Sequence, residues 1–146
     1  MSIWLHLLIS FIATATFGFL FNVPAKLLPV CGFVGMTGWI INLAAKDWLA
    51  LSSIVAVMLA AFGVTLISQF FARKLKTPII LFNVSGIILL VPGRLAYNAM
   101  RNVVEDQYDI AIELGTEALL ISGAIAIGMM MSEVATQVVR KIFGRR

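Results

Sequence analysis

Residues 3–21 run nineteen positions without a Lys, Arg, Asp or Glu. As a helix such a stretch rises about 28 Å, close to the roughly 30 Å hydrocarbon core of a bilayer. Comparable apolar runs occupy residues 27–45, 48–71 and 114–139, with an interrupted one at 78–100. Only lipid on the outside makes so much apolar surface affordable. The whole chain agrees: 61% of its 146 residues are hydrophobic and 12% are charged, where soluble domains have roughly 45–50% and about 25%. The expected fold class is an all-α integral membrane protein, one membrane domain over residues 1–146, with five transmembrane helices of which the fourth is interrupted.

The interrupted run, Thr77 to Met100, is built poorly for a plain crossing. Asn83, Ser85 and Gly86 break its first half, and Pro92-Gly93 ends its second. Proline at 92 removes a helical donor and crowds the carbonyl of Ile88, leaving that carbonyl free, while Gly93 lets the backbone bend. Lipid does not tolerate bare backbone unless protein or a watery cavity covers it, and Gly/Pro-interrupted apolar segments mark substrate paths in transporters. The expected substrate path is therefore Asn83, Ser85, Gly86, Pro92, Gly93, Arg94 and Tyr97, with Asn22 and Pro24 from the turn after the first span. Arg94 is the sharpest of these. A cation at that depth costs up to about 2.5–3.5 kcal/mol. It either clamps a substrate carboxylate through its fork of donors, or snorkels outward or pairs with an acid such as Asp106.

Small residues mark packing faces. Gly32, Gly35 and Gly38 recur every third position in the second span, Ala56, Ala60 and Gly63 share a face of the third, and Ala124, Gly128 and Ser132 recur every fourth in the last. Such stripes let helix backbones approach closely. The glycines of the second span serve as packing in preference to a substrate-lining face. Met129-Met130-Met131 reads as packing material rather than a copper site, since consecutive positions point in different directions. Cys31 stands alone, so neither a disulfide framework nor a thiolate metal cage is expected. Trp39 and Trp48 are placed as interfacial anchors. His6 and Glu133 are read as interfacial polar groups, with proton relay or coupling as the alternative. A retained first helix is favoured over a signal peptide cleaved near Ala13-Thr14-Ala15, because the apolar run continues to Phe21.

Lys26, Arg73, Lys74, Lys76, Arg140, Lys141, Arg145 and Arg146 fall on one side of a five-span topology, eight of the eleven basic residues. The positive-inside rule then puts the amino terminus outside and the carboxyl terminus in the cytoplasm. The net charge of +4 is accounted for in this way and not as a nucleic-acid footprint. A single histidine leaves no His-pair zinc motif and no convincing Ser-His dyad, so no catalytic residues, metal or cofactor are expected.

Phe21-Asn22-Val23-Pro24, the Gly-rich second span, and Val91-Pro92-Gly93 followed by Ala96-Tyr97 and Met100 together resemble the threonine/serine exporter (ThrE-type) family. The likeness covers essentially the whole chain and points to its short five-helix components. Where many relatives have a proline before the first glycine of the fourth segment, this chain has Ser85. The resemblance implies export of small hydroxy amino acids, or of C4-dicarboxylates such as succinate, beside a larger complementary membrane subunit or as a homo-oligomer. A non-transporting scaffold subunit is the alternative, and an intramembrane enzyme a weaker one.

Overall fold

The computed structural model describes residues 3–144; Arg145 and Arg146 of the basic tail lie outside the described residues. Six helices follow one another: α1 (Ile3–Leu20), α2 (Leu28–Asp47), α3 (Ser53–Leu75), α4 (Ile80–Ile87), α5 (Gly93–Val104) and α6 (Tyr108–Phe143), with a short 3-10 turn at Ala25–Leu27 before α2. The protein is an all-α membrane protein, and four of its helices (α1, α2 with its leading turn, α3 and α6) are long and apolar enough to cross.

Three helices stop in the same way. Asn22, Lys76 and Asp106 adopt left-handed φ of 59°, 52° and 58°. The next residue's N–H reaches back to a carbonyl five positions earlier: Val23 to Gly18 at 3.0 Å, Thr77 to Ala72 at 3.0 Å and Gln107 to Asn102 at 2.8 Å. This closure satisfies carbonyls that a helix end leaves bare. At its other end α3 begins five residues later than the apolar run, because Ser52 caps it by accepting the Val55 N–H. Residues 48–51 are the connector.

The interior combines apolar side chains, many of them small, such as Ala56, Ala60 and Val64, with weakly polar ones, and many bulky apolar side chains face outward. Thr14, Thr65, Ser68, Ser85 and Ser132 are fully buried, while Ile12, Phe19, Phe70, Leu119 and Ile127 are exposed. Close approach explains the glycines. A Cβ on Gly35 would collide with Thr14 of α1, one on Gly32 would stand 2.7 Å from the Phe11 ring, and one on Gly38 would collide with Val64 of α3. On Gly128 it would strike the Met58 carbonyl. Paired positions set the directions: Gly18 meets Cys31 and Thr14 meets Gly35, and Phe33 meets Phe71 and Gly38 meets Val64, so α1–α2 and α2–α3 are antiparallel, while Gly128 at Met58 and Thr136 at Gln69 make α3 and α6 parallel. One end of the bundle therefore carries Lys26, Arg73, Lys74, Lys76, Arg140 and Lys141, and the other carries Asp47, Glu105, Asp106 and Asp109. We refer to them as the basic and acidic ends.

The fourth apolar segment is two separate helices. Helix α4, about 12 Å long, starts from the basic end and lies against α1, α2 and α3, with Phe82 fully buried beside Phe71. After Ile87 the helix dissolves. Leu90 bonds the Ile87 carbonyl at 2.7 Å and Gly93 bonds the Val91 carbonyl at 2.8 Å, while the carbonyls of Ile88, Leu89 and Leu90 receive no hydrogen bond among the described residues. Helix α5 then packs mainly on α6. Its Pro92-Gly93 end lies beside Leu119 and Ser122, and Ala99 faces Gly115. Since Gly128 is level with Met58 near the start of α3, about 20 Å of α6 extends past the acidic end of the bundle. Helix α5 runs along that extension as an arm. Helix α6 starts at Tyr108, six residues before the apolar run, and Asp109, Glu113 and Glu117 recur one turn apart along its first part.

Candidate functional site

Polar groups converge where α3, α4 and α6 meet. Asn83, half-buried on α4, turns towards α3 and α6: Thr65 Oγ1 is 3.1 Å from Asn83 Oδ1 and 2.9 Å from the Ala61 carbonyl, two acceptors for one hydroxyl hydrogen. Asn83 Nδ2 meets only the Met129 sulfur, at 3.6 Å, a weak acceptor for an amide. The parallel run of α3 and α6 fixes what else shares this level. Gly128 abuts Ala61 and Phe62, and Thr136 shares a groove with Gln69 and Phe70. Ser132, midway between Gly128 and Thr136, is therefore level with Thr65. Ser68 lies about 4.5 Å further towards the basic end. Both serine hydroxyls are fully buried and neither has a hydrogen-bond partner.

Further polar side chains follow towards the basic end, and this row of residues is here called the polar lane. Gln69 Oε1 and Thr77 Oγ1 are buried without partners. Both residues border a recess of about 260 Å³ with Ala72, Arg73 and Ile79. Gln69 and Arg73 also border a groove of about 540 Å³ with Leu66, Phe70, Lys74 and Thr136. Arg73 stands at the mouth of both. Each unpaired buried oxygen costs about 1–3 kcal/mol, so five of them among the described residues, Asn42 Oδ1 included, are more than a merely structural core needs.

The residues singled out from the sequence are not gathered in one place. Asn83 lies at the head of the lane. Ser85, two positions on, faces the opposite way and donates to the Leu81 carbonyl at 2.8 Å, close to Gly18. Gly86 is a contact point, its missing Cβ 2.8 Å from both Val34 and Val64. Asn22 and Pro24 are exposed at the basic end, in the loop joining α1 to α2, and Asn22 terminates α1. Pro92, Gly93, Arg94 and Tyr97 belong to the arm beyond the acidic end. Arg94 is exposed, and the one ion pair among the described residues is Arg101 with Glu105, at 2.8 Å. His6 accepts the Trp39 indole N–H at 3.5 Å, and Glu133 is exposed. Met129 alone of the three methionines reaches the lane.

Matched against known families, the chain fits the model described as threonine/serine exporter, ThrE, over residues 6–135. It belongs to the threonine/serine exporter family. No solved structure matches it. Membership of a ThrE exporter family makes this a membrane protein of the transport machinery, and the matched region holds the whole polar lane from Thr65 to Ser132. Thr65, Ser68, Gln69 and Thr77 were not singled out from the sequence. Their signal was present: 65, 68 and 69 are spaced i, i+3, i+4 in an otherwise apolar span, which puts them on one helix face.

Proposed function

We propose that this chain is one half of a secondary exporter for small carboxylate-bearing metabolites, threonine and serine or a C4-dicarboxylate such as succinate. A larger complementary membrane subunit, or a second copy of the chain, completes it. The observation that carries this reading is the lane from Arg73 to Asn83, with a cation at its mouth and unpaired oxygens along it. The Arg73 guanidinium suits a carboxylate, and the oxygens of Gln69 and Thr77 suit a hydroxyl or ammonium. The larger groove is bounded by α3 and α6 only, so within this chain it is open on one flank. In pseudo-symmetric transporters such a half-site is closed by the facing repeat. With the amino terminus outside, the basic end faces the cytoplasm of a bacterium, where the cargo of an exporter enters.

The test is efflux of labelled threonine, serine and succinate from liposomes holding this chain with and without its complementary subunit. Efflux is expected only from the pair, or from a defined homo-oligomer. Arg73→Gln and Asn83→Leu should depress it while leaving assembly intact. If both variants assemble and transport normally, the scaffold reading replaces this one.

A further inference from the structure

We infer that His6, Trp39, Asp47 and Trp48 form a binding site for a phospholipid whose headgroup carries an ammonium beside its phosphate, of the phosphoethanolamine type. The four residues border one groove of about 210 Å³ between the start of α1 and the end of α2, at the acidic end of the bundle. The inference does not rest on the exporter reading and holds whether or not the chain transports. The walls of the groove are apolar, from Ile3, Leu7, Ile40 and Leu43, so it offers hydrocarbon surface to an acyl chain and polar groups to a headgroup above it. Trp39 and Trp48 have the amphipathic rings that settle at headgroup level.

Charge selects the headgroup. Asp47 borders the groove and no Lys or Arg does, and the one ion pair among the described residues lies elsewhere, Arg101 with Glu105. Asp47 is also the last residue of α2, where the helix dipole is negative and a carboxylate is disfavoured until a cation answers it. An anionic headgroup is therefore repelled, and an ammonium suits. A primary ammonium gives the carboxylate charge-assisted hydrogen bonds that a quaternary one cannot, and the indole faces add cation–π attraction. His6 supplies the second contact. Its Nδ1 accepts the Trp39 indole N–H at 3.5 Å, and the two rings stack at 6.4 Å. The ring hydrogen then sits on Nε2, which has no partner among the described residues and suits a phosphate oxygen. Trp39 lies about 12 Å inward of Asp47 along α2, and the side chains of the two antiparallel helices tilt towards one another across that interval. The ammonium is thus held outermost, the phosphate below it and the acyl chain against Leu7 and Ile40, the order of a lipid standing in its leaflet.

The purified full-length chain, stripped of lipid in detergent, should show a saturable rise of several degrees in its unfolding midpoint on adding phosphatidylethanolamine. Phosphatidylcholine and phosphatidylglycerol with the same acyl chains should give much smaller rises. Phosphoethanolamine without acyl chains should give none, which separates a lipid from a free headgroup. Native mass spectrometry should show phosphatidylethanolamine retained at one-to-one stoichiometry. Asp47 is exposed, so Asp47→Asn should fold as the parent does while losing roughly tenfold in affinity for that lipid and most of the preference over phosphatidylcholine. Glu133→Gln, at an exposed acid away from the groove, should change neither. Equal midpoints with the three lipids and no retained phosphatidylethanolamine overturn the site, as does an unaltered preference in Asp47→Asn. Stronger stabilisation by phosphatidylglycerol also overturns it, since an anion would then sit beside Asp47. Stabilisation by the free headgroup equal to that by the lipid removes the bilayer as the source of the ligand.

Discussion

Thr65 Oγ1 lies 3.1 Å from Asn83 Oδ1, and this contact ties the half-helix α4 to the α3–α6 pair. Helix α4 cannot cross the bilayer by itself, and its other side is held by α1 and α2 where Ser85 meets Gly18, Gly86 meets Val34, and Cys31 donates to the Leu81 carbonyl. Asn83 is thus placed between the α1–α2 side of the protein and the α3–α6 pair. Its amide is poorly served, with one shared donor and one sulfur, which is the condition of a group awaiting a better partner.

Asn83→Leu should separate function from stability. Interhelical hydrogen bonds within membranes average only about 0.6 kcal/mol, so the variant should unfold within a degree or two of the parent. Efflux should fall by roughly tenfold or more. A large loss of stability with proportionate loss of efflux would assign Asn83 to packing alone.

The two Gly positions of the fourth segment should behave oppositely. A Cβ on Gly86 meets Val34 and Val64 at 2.8 Å from two sides, whereas one on Gly93 has nothing within 4 Å. Neither glycine has a positive φ. Gly86→Ala should therefore lower stability by about 1–3 kcal/mol through overpacking, and Gly93→Ala should be neutral. Thermal unfolding in detergent distinguishes them, and equal effects would show that α4 does not sit where the contacts put it.

Much of this architecture was legible in the residues, and the misses have physical causes. Apolar runs located the crossing helices, and Pro92-Gly93 located the break. What followed the break was harder, since Ala96, Tyr97, Met100, Val103 and Val104 look like a continuing membrane span. Arg94, Asn98, Arg101, Asn102 and Glu105 fall on the opposite face of the same helix, the pattern of an amphipathic element rather than a crossing one. Asn22 read as a polar group near a path because its identity, not its backbone, was visible; in the structure its left-handed φ ends α1. The lane itself was faint. Serine and threonine blend into membrane helices because they usually bond their own backbone, and which ones do not is a matter of rotamer, decided only when neighbouring helices pack.

The two arginines near polar segments should be unequal. Arg73 borders both cavities of the lane, while Arg94 is exposed on the arm at the other end. Arg73→Gln should raise the substrate concentration for half-maximal efflux several-fold, with Arg73→Lys intermediate because it keeps charge but loses the fork. Arg94→Gln should leave that value unchanged. The reverse ranking would move the carboxylate clamp to the acidic end.

Orientation can be read with single cysteines. Cys31 is fully buried, so replacing it by serine gives a background suited to labelling. Asp109→Cys lies on the exposed arm, and Lys141→Cys lies in the last turn of α6 at the basic end. If eight of the eleven basic residues lie on the cytoplasmic side, as the positive-inside rule expects, an impermeant maleimide added to whole cells with a permeable outer layer should modify position 109 and not 141. Position 141 should react once the inner membrane is opened. Labelling of 141 in intact cells would place the basic end outside, where an exporter discharges its cargo, and the substrate would then have to enter from the acidic end, past the uncapped carbonyls of Ile88, Leu89 and Leu90.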